Sequence, residues 1–385
     1  MLYDVIVIGG GAAGMCTAIH AKRNNKSVLI IEHNDKTGKK ILSTGNGRCN
    51  LTNMNCKADL FDCNPEGISP YFTSGDVFFV KDVIRRFDCD DTLRFFGDLG
   101  LVFENKNGYV YPRSGQAKSV LDILRGECIE SGVEIVTGYQ PLSVSIKDGL
   151  FDIDGTDQAE KLVIATGGAS APKTGSDGSG YEIAKAFGHS IINPRPALCG
   201  LNCRDKVFKK ISGVRNDSLV KLICDGHKVM EVYGNVQFND YGISGIPVFQ
   251  ISSEAGRLLE EKKQITVDID LLPDIRDVDL KEAIKKNPSL TGILNEKLAK
   301  EILKRGNIIE NIRKFTVTPD SIRGFDESQV TAGGVNTAGI CPETMESTIV
   351  DNLYFAGEII DVNGICGGYN LQWAWSTGYV AGNNI

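Results

Sequence analysis

The strongest constraint on the fold is the opening run DVIVIGGGAAG, residues 4–14, backed by SVLIIE at residues 27–32. Asp4 to Ile8 is a short, apolar, β-branched stretch of the kind that makes a parallel strand buried on both faces. Gly9, Gly11 and Gly14 have the spacing G-x-G-x-x-G where that strand must turn into a helix. The three glycines serve different ends, with a tight turn at Gly9, close approach of a pyrophosphate at Gly11, and packing of helix on strand at Gly14. A helix from Ala12 to Asn24 then points its first amides, and the positive end of its dipole, at the phosphates. The second strand, Ser27 to Ile31, ends in Glu32, where a carboxylate can hold the hydroxyls of an adenosine ribose. That carboxylate favours an unphosphorylated ribose, hence FAD or NAD over NADP.

Other classes are set aside by composition. The chain has 385 residues, room for two or three domains, with a net charge of −7 and a pI near 5.3. Nothing in that balance indicates a nucleic-acid partner. No apolar run reaches the ~18 residues of a membrane span. The first strand begins within a few residues of Met1, leaving no room for a signal peptide, so a cytoplasmic protein is expected. Eleven cysteines include no C-x-x-C pair, the closest spacing being Cys199 and Cys203. Buried, inert thiols are therefore expected rather than a dithiol relay. His20, His33, His189 and His227 are scattered without metal-ligand spacing, so no metal site is expected.

After Glu32, residues 33–53 are too polar and glycine-rich for a regular element. Lys39, Lys40 and Arg48 among small residues, followed by Asn50, Thr52 and Asn53, suit a phosphate or a polar ring edge. Residues 54–76 read as irregular, with Pro65 and Pro70; amphipathic helices follow at 76–87 and 91–99. YVYPRSGQ (109–116) reads as turn-rich, 117–131 as a helix, and 133–136, 142–146 and 151–153 as an antiparallel meander. KLVIAT (161–166) is a further parallel strand running into Gly167 and Gly168, whose backbone lies where a dinucleotide passes. Asp177 is the expected N-cap of the next helix and Gly188 its stop. Residues 194–200 read as a linker. The short alternating runs from 201 to 267 predict a small antiparallel barrel or sheet, and 279–314 is helical in period, with Leu294, Leu298, Ile302 and Leu303 as core positions. Near the end, a strand at 352–356 delivers Gly357 and Glu358, and Gly367, Gly368 and Tyr369 open a last helix. Ligands of open α/β sheets sit at that end of the strands. The expected architecture is α/β: a Rossmann-like FAD-binding domain of parallel sheet plus β-meander, residues 1–193 and 316–385. It is interrupted by an insertion at 194–315, β-barrel-like over 194–270 and helical over 271–315.

The stretches GGGAAG (9–14), KILSTGNGRCNLTN (40–53), ATGG (165–168), DYGISG (240–245), VTAGGV (330–335), TMES (344–347) and LYFAGEIIDVNGICGGYNLQWAWSTG (353–378) carry a family resemblance. The chain resembles the aminoacetone-oxidase-like or 3-dehydro-bile-acid-reductase-like flavoproteins, of the two-dinucleotide-binding-domain group. The resemblance implies non-covalent FAD. It implies that Gly9, Gly11, Ala13 and Gly14 cradle the pyrophosphate and that Glu32 holds the adenosine ribose. Arg48, Cys49 and Asn50 would lie along the flavin and its phosphates, and Thr166 and Gly167 beside the dinucleotide. Glu358 would stand where relatives often use Asp on ribityl or phosphate groups. Asn370, Leu371 and Gln372 would bring helix amides to the flavin pyrimidine ring, where the positive helix end stabilises charge on the reduced ring. Asn239 departs from the threonine common in the family.

The expected reaction is hydride transfer from NADH or NADPH, a transient donor, through FAD to an electron-poor C=C of a small organic molecule bound under the insertion. Tyr241 and Tyr369 are candidate proton donors, because a phenol near pH 7 still holds its proton. Cys366 reads as a small spacer between glycines, and Trp373 and Trp375 as packing residues. Two alternatives remain: an oxidase of an amine or ketone using molecular oxygen, and a flavin-binding sensor without turnover. The substrate, the nicotinamide preference and the oligomeric state are not legible.

Overall fold

The computed structural model describes residues 1–57, 59 and 70–385. The expected irregularity around Pro65 lies outside the described residues. Two compact units are formed, one from Met1–Pro194 with Val330–Ile385, the other from Arg195–Gln329.

In the first unit the opening strand, Leu2–Ile8, is central because Val5 to Ile8 present apolar side chains to both faces of the sheet. It pairs in parallel with Val28–Glu32 on one side and Asp157–Ile164 on the other. Glu134–Thr137 adds a parallel strand outside Val28–Glu32. That strand was expected in the meander. It joins the parallel sheet instead because the helix Ala117–Glu130 immediately before it supplies the crossover that a parallel connection needs. The meander is made by Val144–Lys147, Leu150–Ile153 and the first half of Asp157–Ile164. The second half of Asp157–Ile164 pairs in parallel with the late strand Leu353–Phe355. Ile8, Glu32, Ile164 and Phe355 thus end at one edge of one sheet, and both chain ends contribute to that edge.

Helices cover both faces. The first, Ala12–Arg23, and the last, Tyr369–Asn383, pack on each other closely. A Cβ at Gly378 would lie 2.7 Å from the Ala13 carbonyl, and one at Gly382 would lie 2.5 Å from that of Thr17. Residues 33–53 do contain regular structure, a 3-10 turn over Lys39–Gly47 broken at Thr44–Asn46, and the pair Thr52–Asn53. YVYP is not a turn but strand Tyr109–Pro112, hairpinned with Phe103–Lys106. PRPALCG is not a plain linker: Ile191–Ala197 is a strand paired with Val330–Val335. Helix Ser179–Ala186 starts after Gly178, and Asp177 still accepts the Ser179 amide at 3.0 Å.

The second unit is a seven-stranded antiparallel sheet in the order Phe315–Val317, Ile265–Asp270, Arg215–Cys224, His227–Asn239, Gly242–Ser244, Leu201–Cys203, Pro319–Ile322. Its period-2 pattern puts Val220, Leu222, Val236, Phe238, Val267 and Ile269 on one buried face, covered by Val248, Ile251 and Ala255 of helix Ile246–Glu260. Each such buried aliphatic or aromatic side chain contributes roughly 1.5–3 kcal/mol. The unit runs beyond the expected boundary at 315 because Pro319–Ile322 is hydrogen-bonded into its sheet. Short helices Asp277–Lys286, Glu296–Arg305 and Ile308–Arg313 complete it. Leu298 and Ile302 are core residues as expected, but Leu303 is exposed, one position round the helix from the buried stripe.

Candidate functional site

At the first strand-to-helix junction the three glycines meet three different surroundings. Gly9 has φ +107°, and a Cβ there would lie 2.4 Å from the Ala165 carbonyl of the neighbouring strand. A Cβ on Gly14 would lie 1.9 Å from the Gly9 carbonyl, so helix and turn touch there. A Cβ on Gly11 would meet nothing within 4 Å. Gly11 is also the N-cap of helix Ala12–Arg23, with no side chain capping the first-turn amides. An open approach to uncapped amides is what an anion requires. Glu32 is buried; one oxygen accepts the Gly10 amide at 2.9 Å, the other the Asn34 amide and side chain at 2.9 and 2.8 Å. A carboxylate accepts about four hydrogen bonds, so capacity for a hydroxyl remains.

The second junction gathers around Glu358. Its carboxylate pairs with Lys40 at 2.6 Å and accepts the Thr331 amide at 2.8 Å. Lys40 also reaches the Ser176 hydroxyl at 3.3 Å. The Thr331 hydroxyl accepts the amides of Ala169 and Ser170, fixing the turn after Thr166, Gly167 and Gly168. A Cβ on Gly168 would lie 2.4 Å from that hydroxyl, and one on Gly167 would lie 2.7 Å from that of Ser176. Gly357, φ +82°, sits against Ala13, 2.8 Å from its Cβ to the position of its own, so the two junctions adjoin. Ser176 and Thr331 were not singled out from the sequence; VTAGGV, a stretch that carries the resemblance, was the available signal for Thr331. Among the described residues, the Thr166 hydroxyl and the Asn50 side-chain oxygen are buried without a hydrogen-bond partner.

At the last helix several expectations are corrected. Gln372 is fully buried, its oxygen accepting the Thr52 and Thr92 hydroxyls at 2.5 and 2.9 Å, its nitrogen donating to the Phe87 carbonyl and to Ser376. Its own amide donates to the Gly368 carbonyl. Gln372 is therefore an internal strut and has nothing left for a ligand. Asn370 brackets Gly364, accepting its amide at 2.7 Å and donating to its carbonyl at 2.8 Å. Of these residues only the first-turn amides, including those of Asn370 and Leu371, keep donors that no helical carbonyl can serve. Gly368, φ +98°, packs on the Thr52 backbone. The Cys49 side chain is buried, and burial pushes its thiol up to about 12. Arg48 is exposed, its guanidinium 5.2 Å over the Tyr111 ring. Tyr369 lies in the core, edge-on to Tyr71 at 5.8 Å, and burial holds its phenol well above the usual value. A core phenol that surrenders its proton so reluctantly fits the packing role better than that of a donor. Trp373 and Trp375 are packed in the core. Tyr241 belongs to the other unit, with Arg323 4.5 Å over its ring.

Residues 3–384 match the model of the HI0933-like protein Rossmann domain. The chain belongs to the HI0933-like family. It is 40% identical over 408 residues to a 3-dehydro-bile acid Δ4,6-reductase of Clostridium scindens, covering 98% of this chain and 97% of that one. It is 30% identical to a ribosomal RNA dihydrouridine synthase of Haemophilus influenzae, covering 99% and 98%. In fold it is similar to the 3-ketosteroid Δ4-(5α)-dehydrogenase of Rhodococcus jostii, at 15% identity and a TM-score of 0.52, covering 100% and 96%. As an HI0933-like protein it is a nucleotide-binding flavoprotein oxidoreductase. FAD fits the residues present: Gly11 leaves room at uncapped amides, Glu32 has acceptor capacity, and the Asn50 and Thr166 oxygens lack partners. Among the described residues no cluster of metal-ligating side chains occurs, and no helix is long and apolar enough to cross a membrane.

Proposed function

We propose that this protein is a cytoplasmic, FAD-dependent reductase that saturates a carbon–carbon double bond conjugated to a carbonyl, using NADH or NADPH. The observation carrying this reading is its 40% identity, end to end, with an enzyme named for reducing a Δ4,6 bile-acid system. Bound FAD supplies the hydride chemistry. Gly9, Gly11, Ala13, Gly14 and the first-turn amides receive the pyrophosphate, and Glu32 the adenosine ribose. Lys40, Asn50, Thr166, Gly167, Gly168 and Gly357 line the path between the two junctions. Glu358 orients the sugar-alcohol chain, and the amides of Asn370 and Leu371 face the flavin pyrimidine. Tyr241, with Arg323 4.5 Å over its ring, is the proposed proton donor.

A second substrate is favoured by one feature. Uracil in RNA carries the same conjugated double bond, and residues 195–329 hold 22 Lys and Arg against 20 Asp and Glu, while the rest of the chain holds 20 against 29. Within that unit, exposed Lys206, Lys209 and Lys210 adjoin the Lys297, Lys300 and Lys304 side of helix Glu296–Arg305. Lys297 reaches the Ser212 carbonyl at 2.7 Å, and Lys210 lies 3.7 Å from Glu301. Such a face suits phosphodiesters.

The test is anaerobic mixing of the yellow protein with NADH or NADPH. Rapid bleaching of the visible flavin band is expected with at least one; none with either sinks the reductase reading. The bleached protein is then offered a 3-keto Δ4,6 bile acid or a uracil-containing RNA hairpin, and the acceptor that restores the colour is the substrate class. Bleaching by an amine or ketone instead of a nicotinamide, with recovery on admitting oxygen, would favour the oxidase.

A further inference from the structure

Tyr181 lies on helix Ser179–Ala186, just after the turn that carries Ser176. Its ring is packed in the core with Ile359 and Ile360, and the preceding Gly180 abuts Thr166 and Ile359. The residue is 5% exposed, yet its hydroxyl has no hydrogen-bond partner among the described residues. Burying a donor unpaired forfeits its hydration for nothing in return, so a hydroxyl kept in such a place has an acceptor at some stage of function. Burial above all, and after it the carboxylates Glu358 and Asp361, pushes its phenol well above the usual value. Asp361 is engaged by the amide and hydroxyl of Ser74. Glu358 keeps the Thr331 amide on one oxygen, but its other oxygen depends on Lys40. Lys40 is a quarter exposed, lies in the 3-10 turn that follows strand Val28–Glu32, and can serve a phosphate equally well.

Resting on the FAD reading above, we propose that Tyr181 is a positioning residue. When a bound dinucleotide draws Lys40 onto its phosphates, the Tyr181 phenol takes over as donor to Glu358. The exchange keeps a partly buried carboxylate satisfied beside a newly bound dianion, and holds Glu358 in the orientation its ligand contact needs.

The experiment compares the FAD-stripped and FAD-loaded full-length protein for wild type, Tyr181→Phe, Lys40→Gln and Glu358→Ala, reading melting temperature and FAD affinity. Tyr181→Phe should leave the stripped protein's melting temperature unchanged or slightly raised, because no bond is lost, and raise the Kd for FAD about tenfold. In the Glu358→Ala background the same change should have no further effect. Lys40→Gln should weaken FAD binding at least as much and flatten its salt dependence. Equal losses of melting temperature with and without FAD, at unchanged Kd, would mean that Tyr181 only packs, and would overturn the proposal. So would unchanged FAD affinity in Lys40→Gln, a result that stands even if Tyr181→Phe folds poorly. A wild-type protein that takes up no FAD fails differently, by removing the cofactor reading itself.

Discussion

The two glycine-led helix starts of the first unit look alike in sequence and differ in what their glycines are for. At Gly9–Gly14 two glycines are demanded by neighbouring backbone, while Gly11 faces open space. At Gly367–Gly368 both are demanded by packing, on Tyr109 and on Thr52, and the polar residues that follow are turned inward to brace the fold. One junction is arranged around a ligand approach; the other is a braced platform that offers little beyond its backbone amides. The same strand–glycine–helix pattern can therefore mark a binding turn or a structural one, and only the surroundings of each Cα tell which.

The sharpest way to break this comparison is a pair of substitutions within one motif. Gly14→Ala forces a Cβ into the Gly9 carbonyl, and should cost about 3 kcal/mol or more in urea unfolding, with cofactor binding lost in consequence. Gly11→Ala should leave stability within about 1 kcal/mol of wild type, the cost of a poorer N-cap, while weakening FAD binding severely. Equal destabilisation by both would erase the distinction between an approach glycine and a packing glycine.

The platform is tested at Gln372. Replacing it by leucine strands the Thr52 and Thr92 hydroxyls in the interior, while the Phe87 carbonyl keeps the Ser376 hydroxyl. A loss of about 2–3 kcal/mol is expected, smaller than at Gly14 because the hydroxyls can partly re-pair. FAD affinity, measured by flavin fluorescence on the folded fraction, should be nearly unchanged. A large drop in affinity at intact stability would return Gln372 to the flavin.

Why the first junction was legible and the second was not follows from range. Gly9, Gly11, Gly14 and Glu32 act through strand, turn and helix contiguous in the chain, so spacing alone reports their roles. Gln372 is held by Thr52, Thr92 and Phe87, all some 280–320 positions away, and no local pattern distinguishes such a strut from a ligand contact. Thr331 and Tyr181 escaped notice for the same reason, since each matters only where distant segments meet. In the fold, the parallel core was readable from its apolar runs. Glu134–Thr137 was misplaced because four residues look the same in a meander as at a sheet edge, and the preceding helix decides between them. Leu303 failed more simply: helical periodicity locates a buried stripe only to within one residue of its margin.

The smallest of the expected effects tests how the two junction helices are held together. His20, on the first helix, is buried with its Nε2 unpartnered, its ring 5.1 Å from that of Phe95 and 4.8 Å from that of Tyr379 on the last helix. Burial, reinforced by the Arg23 cation, lowers its pKa to about 3. Because the folded value lies below the unfolded one, the unfolded chain takes the proton first as pH falls. The stability His20 confers as a neutral ring is thus complete above about pH 6.5 and is lost progressively toward pH 3, by at most about 1.4 kcal/mol per unit. At pH 5.5 the wild type should stand about 1.3 kcal/mol below its pH 7 value from this group, with His189, whose pKa burial also lowers, adding loss in the same direction. His20→Phe keeps the aromatic packing and removes the proton site, so its unfolding free energy should fall less steeply across that interval, by the slope of one proton. Parallel pH profiles for the two proteins would show that His20 is protonated or hydrated in place, and that the seam between the first and last helices is wetter than its packing implies.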